Sequence, residues 1–209
     1  DMGYNWEGHH IMNEIAQGEM NVTDWDNYMT KIDTTYQKDD FLMNFVTNHD
    51  ENSWNGTIEE RMGDAGDAMT ALTYTIPGMP LIYSGQEYGM DKRLRFFRKD
   101  TITKEKGETW ELLEQLGSLK NEYKALNGAK KAAEYKRLST SNDKHILAFH
   151  RQKGDAEIVY IANMSKQAQK FTVDINKNML KAMSGNDFKL SPNKEFKFKP
   201  WEYTILKGK

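Results

Sequence analysis

The 209-residue chain has 29 basic and 31 acidic residues and no cysteine, so its formal net charge is −2. The lack of cysteine excludes disulfides and thiolate metal sites and leaves the compartment undetermined. No apolar stretch is long enough to cross a membrane, and the length allows one large domain or two smaller ones. Because the first residues already have the pattern of a folded unit, we expect the chain to be a piece of a longer protein.

Charge is unevenly distributed along the chain. Residues 1–60 contain 13 acidic and 2 basic residues, whereas residues 131–209 contain 16 basic and 8 acidic residues. A basic region can indicate nucleic-acid binding. Its lysines alternate with apolar residues, however, without an arginine cluster or an aromatic stacking motif. We therefore predict a solvated sheet face and no nucleic-acid partner.

The first elements are short and follow one another closely. Residues 1–6 are aromatic and strand-like, and the apolar spacing predicts helices over 9–17 and 22–36, the second capped by Thr23 or Asp24. A glycine ends the first helix.

Two histidines and a glutamate on the first predicted helix raise the question of a metal site. His10 and Glu14 share a helix face at i, i+4, next to His9. No third ligand is apparent, so we predict no metal site.

The central feature is the stretch Phe41–Asp50, FLMNFVTNHD. Its apolar run over 41–46 is typical of a strand buried on both faces. The run stops at a polar cluster over 47–52. In α/β barrels the chemistry lies at the carboxyl ends of the strands, which makes this cluster a site candidate. The alternative is that Asn48 and Asp50 only shape a turn and cap a helix.

A helix and a second strand follow. Thr57 and Glu60 have the spacing of a capping box, and the apolar repeat predicts a helix over 58–76 of some five turns. A strand over 80–83 then leads into the polar loop 84–89. Strand, helix and strand with short links predict a βαβ unit, whose parallel strands open their polar ends on the same side of the sheet.

The remainder changes from helical to alternating periodicity near residue 130. A loop over 91–100, which includes Arg93, either touches a ligand or covers an edge, and a helix follows over 112–126. Short alternating runs then predict an antiparallel β-sandwich. These runs cover 133–138, 145–151, 156–163, 169–174, 186–190, 194–199 and 202–207.

Two of these segments resemble the α-amylase family of glycoside hydrolases, which are (β/α)8 enzymes acting on α-glucans. Phe45–Asp50 is similar to the family's block at the seventh barrel strand, which ends in Asn-His-Asp, and Gly78–Glu87 is similar to its eighth strand and the following loop. The single helix between them gives the family's spacing. The resemblance implies an α/β fold: a partial (β/α)8 TIM barrel over 1–130, with residues 1–6 as its sixth strand, then an all-β sandwich domain over 131–209.

The resemblance also implies roles for individual residues. Asp50 matches the carboxylate that grips sugar hydroxyls and stabilises the transition state, and His49 matches an imidazole that binds the same sugar. Asn48 and Arg93 are further substrate-binding candidates. The residues expected to support the site are Tyr83 and Glu87.

The chain departs from the family pattern in one respect. Retaining glycosidases need a nucleophile and an acid/base carboxylate about 5 Å apart. In this family they lie on the fourth and fifth strands, upstream of the matched residues, as does most of the calcium site of many members. We therefore expect no cofactor in this chain, calcium only in the parent protein, and no hydrolysis by the isolated chain.

Two hypotheses on function stay open. The first is the C-terminal part of a hydrolase that binds an α-glucan or malto-oligosaccharide, with α-1,4 and α-1,6 specificity and transglycosylation undecided. The second is a non-catalytic, amylase-like sugar-binding protein or subunit. A partial barrel would leave an open sheet edge and an uncovered face, which predicts self-association.

Overall fold

The computed structural model describes residues 1–37, 39–128 and 131–208. Helices and parallel strands form its first part, and antiparallel strands form its second. The helices are α1 (Trp6–Gln17), α2 (Val22–Thr35), α3 (Ile58–Met62), α4 (Gly66–Thr75) and α5 (Glu108–Glu122). The first three strands are β1 (Met2–Tyr4), β2 (Phe41–Asn44) and β3 (Met79–Pro80).

The first helix begins earlier than predicted, and the second begins as predicted but with a different cap. Helix α1 starts at Trp6, three residues early, because the Asn5 side chain accepts a hydrogen bond from the Gly8 amide and caps it. Helix α2 is capped by Asn21, not by Thr23 or Asp24, although Asp24 completes the capping box. The glycine that was predicted to end α1 does so, in the left-handed region.

The helix predicted over 58–76 is wrong as a continuous element. The predicted capping box at Thr57 and Glu60 is confirmed, but α3 ends after five residues. Gly63 has a φ of +48° and starts a 3-10 turn over Gly63–Ala65 before α4 begins. The apolar repeat continues across this break, so periodicity alone did not indicate it.

Strands β1, β2 and β3 form a parallel sheet in that order, which confirms the predicted parallel pairing. Both β2 and β3 are shorter than the apolar runs predicted over 41–46 and 80–83. The prediction that β2 is buried on both faces is wrong: Leu42 and Asn44 are buried, but Phe41 and Met43 are only half-buried.

The second part contains two antiparallel sheets. Six strands form the larger sheet, in the order β4 (Glu134–Arg137), β5 (Ile146–Lys153), β6 (Ala156–Asn163), β11 (Tyr203–Lys207), β8 (Lys177–Lys181) and β9 (Asp187–Leu190). The smaller sheet pairs β10 (Phe196–Phe198) with β7 (Gln169–Phe171). Strand β8 was not predicted, because its sequence has only two adjacent apolar residues and no alternation.

Two apolar clusters hold these layers together. One cluster joins the inner faces of the two antiparallel sheets and contains Phe171, Phe198 and Val159. The other packs β5 and β6 against α4 and α5, with Tyr160 donating its hydroxyl hydrogen to the Ala68 carbonyl. Among the described residues no helix has the length and apolarity needed to span a bilayer.

Candidate active site

The end of β2 delivers an imidazole and a carboxylate to solvent. His49 and Asp50 follow the buried residues 45–48, and their side chains are 53% and 46% exposed. His49 Nε2 lies 3.5 Å from Asp50 Oδ1. The backbone then turns into a π-helix over Glu51–Asn55. The strand end thus holds two adjacent polar groups available to a ligand.

Asn48 lies beneath this exposed pair. Its side chain is buried, and its Oδ1 accepts a hydrogen bond of 2.8 Å from the Glu51 amide. Its Nδ2 is buried and has no hydrogen-bond partner among the described residues. Asn48 therefore shapes the turn that presents His49 and Asp50.

A buried His9–Glu51 contact anchors the turn to α1. Glu51 Oε2 lies 3.0 Å from His9 Nε2, and His9 Nδ1 lies 3.2 Å from the Phe45 carbonyl oxygen. Burial lowers the pKa of His9, although the hydrogen bond to Glu51 opposes this. Burial raises the pKa of Glu51, but hydrogen bonds with His9 and Asn55, together with the charges of His9 and Arg61, outweigh it, so the net shift is downward. The carboxylate form of Glu51 is thereby favoured.

Arg61 completes this network from the end of α3. Its Nη2 donates to the Val46 carbonyl at 2.8 Å, and its Nε donates to the Gly56 carbonyl at 3.0 Å. Its Nη1 donates to Asn13 at 2.7 Å and lies 3.8 Å from Glu51. Sequence reasoning missed these roles, because the partners come from three elements and no spacing pattern links them.

The metal hypothesis for His9, His10 and Glu14 has no support in the geometry. His9 is fully buried and hydrogen-bonded, whereas His10 is exposed, with its ring centroid 5.7 Å from that of His9. Across residues 1–37, 39–128 and 131–208, no three histidine or carboxylate side chains are grouped as a metal site would need.

Arg93 contacts the π-helix from the loop after β3. Its Nε and Nη2 donate to the two carboxylate oxygens of Glu60 at 2.7 and 3.1 Å, and its Nη1 lies 3.5 Å from the Trp54 carbonyl. Hydrogen bonding from Arg93 lowers the pKa of Glu60. The guanidinium is thus already paired, but it is 45% exposed.

Tyr83 and Glu87 bond within their own loop. Glu87 accepts a hydrogen bond of 2.8 Å from the Gly85 amide, and the Tyr83 amide donates to Gln86. Burial raises the pKa of the Tyr83 phenol. No hydrogen bond between described residues joins either side chain to His49 or Asp50. The structure therefore pairs His49 with Asp50 but does not bring these two supporting candidates into contact with them.

A cavity lies elsewhere in the described part of the chain. It has a volume of about 500 Å³, is in the second part of the chain and is lined by Glu134, His150, Asp174 and Lys177, among others. None of the predicted site residues contributes to it. We therefore base the candidate site on the end of β2 and not on cavity size.

Comparison with known proteins gives the family. The family model for the catalytic domain of alpha amylase matches residues 3–188. The chain therefore belongs to the alpha-amylase family of glycoside hydrolases. A search of curated proteins found no match.

Solved structures of alpha-amylases have the same fold. Similar structures include a maltogenic alpha-amylase from Thermotoga neapolitana, with 18% identity and a TM-score of 0.84, covering 99% of this chain and 50% of that one. Alpha-amylases from Lactobacillus plantarum and Anoxybacillus each have 16% identity, with TM-scores of 0.78 and 0.72. Each of these two matches covers 99% of this chain and 47% of the alpha-amylase chain. The chain thus spans about half the length of these structures.

Proposed function

We propose that the chain is the C-terminal portion of a retaining glycoside hydrolase that acts on α-glucans. In this proposal, residues 1–130 are the last part of a (β/α)8 barrel and residues 131–209 are a β-sandwich domain. Support comes from family membership, from parallel strands linked by helices, and from the half-length match. The proposed boundary at 130 falls beside residues 129 and 130, which lie outside the described residues.

The observation that carries the proposal is the exposed His49–Asp50 pair at the end of β2. Glycoside hydrolysis passes through an oxocarbenium-like transition state, and hydrogen bonds to neighbouring sugar hydroxyls strengthen as it forms. A carboxylate fixed at a strand end can accept such hydrogen bonds and stabilise the positive charge. We assign this role to Asp50, and hydrogen bonding of the same sugar to His49.

The other predicted residues have less direct roles in this proposal. Arg93 keeps enough exposure to reach a sugar hydroxyl while paired with Glu60. Asn48 positions the His49–Asp50 pair from below, and its Nδ2 has no partner within the part of the chain that the structure describes. Tyr83 and Glu87 support the site by folding their loop.

The nucleophile and the acid/base are assigned to the other half of the parent protein. A retaining mechanism needs both carboxyl groups about 5 Å apart, so the isolated chain is proposed not to hydrolyse glucans. The same holds for calcium: the described residues offer no group of ligands, so any calcium of the parent protein would take its ligands from outside them.

The proposed ligand is an α-glucan or a malto-oligosaccharide. Two similar structures, each with a TM-score of 0.72, are of a protein named AmyP in complex with maltotriose and with maltose. They support this ligand class. We also propose that the open sheet of the isolated chain self-associates.

The test is the substitution Asp50→Asn in the full-length parent protein. Loss of the negative charge should lower kcat/KM for soluble starch and for a short α-glucoside at least about 100-fold, the scale on which a transition-state contact acts. Asp64→Asn, at an exposed carboxylate in the turn before α4, is the matched control. Unchanged activity of Asp50→Asn would overturn the assignment, and glucan binding without hydrolysis by the wild type would favour the non-catalytic alternative.

A further inference from the structure

Three aromatic side chains are exposed beside His49. Trp54, Phe96 and Phe97 are 56%, 42% and 82% exposed. Their ring centroids are 5.3 Å apart for Trp54 and Phe96, 6.1 Å for Trp54 and Phe97, and 4.9 Å for Phe96 and Phe97. We call these three residues the aromatic platform. The Phe96 centroid is also 6.0 Å from the His49 ring, at 32° to it, so the platform is continuous with the candidate site.

Hydrogen bonds fix the near end of the loop that carries two of these rings. Asn52 Nδ2 donates to the Lys92 carbonyl at 3.1 Å, and Asn52 Oδ1 accepts from the Leu94 amide at 2.8 Å. Arg93, between them, pairs with Glu60. The buried Asn52 therefore ties the loop to the π-helix that carries Trp54.

Asp100 closes the far end of the loop. It accepts hydrogen bonds from the Arg95 and Thr101 amides at 3.1 and 2.8 Å and pairs with Lys92. Hydrogen bonds, that from Lys92 first, lower the pKa of Asp100 to about 2, so it stays charged. The platform is thus held in place before a ligand arrives, which reduces the entropy lost on binding.

A pyranose ring has the chemistry to cover such a surface. Its C–H faces are apolar and slightly positive, and the aromatic face is the negative end of the ring quadrupole. Exposed apolar patches rimmed by polar groups mark binding sites on soluble proteins. Here the rim includes His49 and Asp50, which are proposed to bind sugar hydroxyls.

The charge of the loop disfavours a second copy of the chain as the occupant. Residues 91–100 contain five basic and two acidic residues, DKRLRFFRKD. Two copies meeting at this loop would bring like charges together, which is unfavourable. An uncharged glucan meets no such repulsion.

We propose that the aromatic platform is a subsite that stacks a glucosyl unit of an α-glucan adjacent to the unit held by His49 and Asp50. The proposal rests on the function proposed above. It adds that the aromatic platform determines the preference of the enzyme for longer glucans. A glucan long enough to reach from Asp50 to Phe97 gains this contact, whereas a short α-glucoside does not.

The test compares substrates of different length in the full-length protein. Phe97→Ala and Trp54→Ala should each lower the kcat/KM for maltoheptaose, relative to that for a short α-glucoside, about three- to tenfold, since an aromatic stacking contact acts on this scale. Phe97→Tyr, which keeps the ring, should retain the wild-type ratio. Tyr36→Ala, at an aromatic residue that is 47% exposed beyond α2, is the matched control and should also leave the ratio unchanged.

The outcomes separate the two proposals. A wild-type ratio in both alanine variants would overturn the subsite, as would conversion of a dimer to a monomer by Phe97→Ala in sedimentation velocity. If Asp50→Asn keeps full activity while the ratio falls, the subsite stands and the role of Asp50 is wrong. If maltoheptaose neither binds nor reacts with the wild type, both proposals are wrong.

Discussion

Two largely buried cationic side chains, Lys120 and Arg151, donate hydrogen bonds to carbonyls at the carboxyl ends of helical segments. The segments are α4 and the turn after α5. Lys120 Nζ donates to the Tyr74 and Leu126 carbonyls at 3.1 and 3.0 Å. Arg151, on β5, donates to the Thr75 carbonyl at 3.1 Å and thereby ties the antiparallel sheet to the end of α4. Cations are favoured at helix carboxyl ends, but here two of them are close together and largely desolvated.

This arrangement predicts a pH dependence of stability. Burial, with repulsion from Arg151, lowers the pKa of Lys120 from 10.5 to about 7. Between these values the unfolded chain binds the proton more tightly, so the free energy of unfolding should rise with pH from about 7 to 10. Below pH 7 Lys120 is protonated in both the folded and the unfolded chain. Its contribution to the free energy of unfolding is then constant and at its lowest value.

Urea denaturation at several pH values measures this effect. Lys120→Met keeps the long side chain but cannot titrate, so the rise between pH 7.5 and 9.5 should flatten. An equal rise in wild type and variant would show that another group is responsible.

At the scale of elements, two glycines join β3 to the turn after α5. The Gly78 amide donates to the Gly128 carbonyl at 3.2 Å, and a Cβ on Gly128 would coincide with the Gly78 backbone. Gly78 has a φ of +111°, a conformation that favours glycine. This close approach sets where the second part of the chain leaves the first.

We expect opposite effects on stability when Gly128, in this contact, and Gly117, outside it, are each changed to alanine. Gly128→Ala should destabilise the fold by about 2 kcal/mol or more, because backbone on both sides must move. Gly117→Ala, within α5 and with no atom near its added Cβ, should stabilise it by up to about 1 kcal/mol. Thermal unfolding of both variants measures this, and a neutral Gly128→Ala would contradict the packing described.

At the scale of the whole molecule, the parallel sheet has an open face. Met2, Tyr4 and Met79 are 51%, 42% and 42% exposed on β1 and β3. They lie on the same face as the half-buried Phe41 and Met43 of β2. Open sheet edges and contiguous apolar surface favour association between chains.

We therefore predict that the isolated chain self-associates at micromolar concentration. Sedimentation velocity should show a concentration-dependent increase in mean mass, and Met2→Lys with Tyr4→Lys should reduce it. A compact monomer across the concentration range would contradict the prediction. In the parent protein, neighbouring strands would cover this face and the effect should be absent.

Local signals predicted much of the fold. The Thr57–Glu60 capping box, the glycine that ends α1 and the parallel pairing of β2 and β3 are all confirmed. Each depends on residues near one another in the chain or on strand–helix–strand order. Prediction from local patterns failed at two places. It missed the helix break at Gly63 because helical periodicity continues across that glycine, and it missed strand β8 because its sequence does not alternate.

The sequence by itself determined the order of the elements, the polar end of β2 and, through Asn48-His49-Asp50 and the second block, the family. Only the tertiary structure decided what lies around that end: the buried His9–Glu51–Arg61 network, the pairing of Arg93 with Glu60, and the aromatic platform. The physical reason is the separation along the chain of the residues that interact. Capping and periodicity act over a few residues, whereas these contacts join residues that are 10 to 50 positions apart, and only folding brings them together.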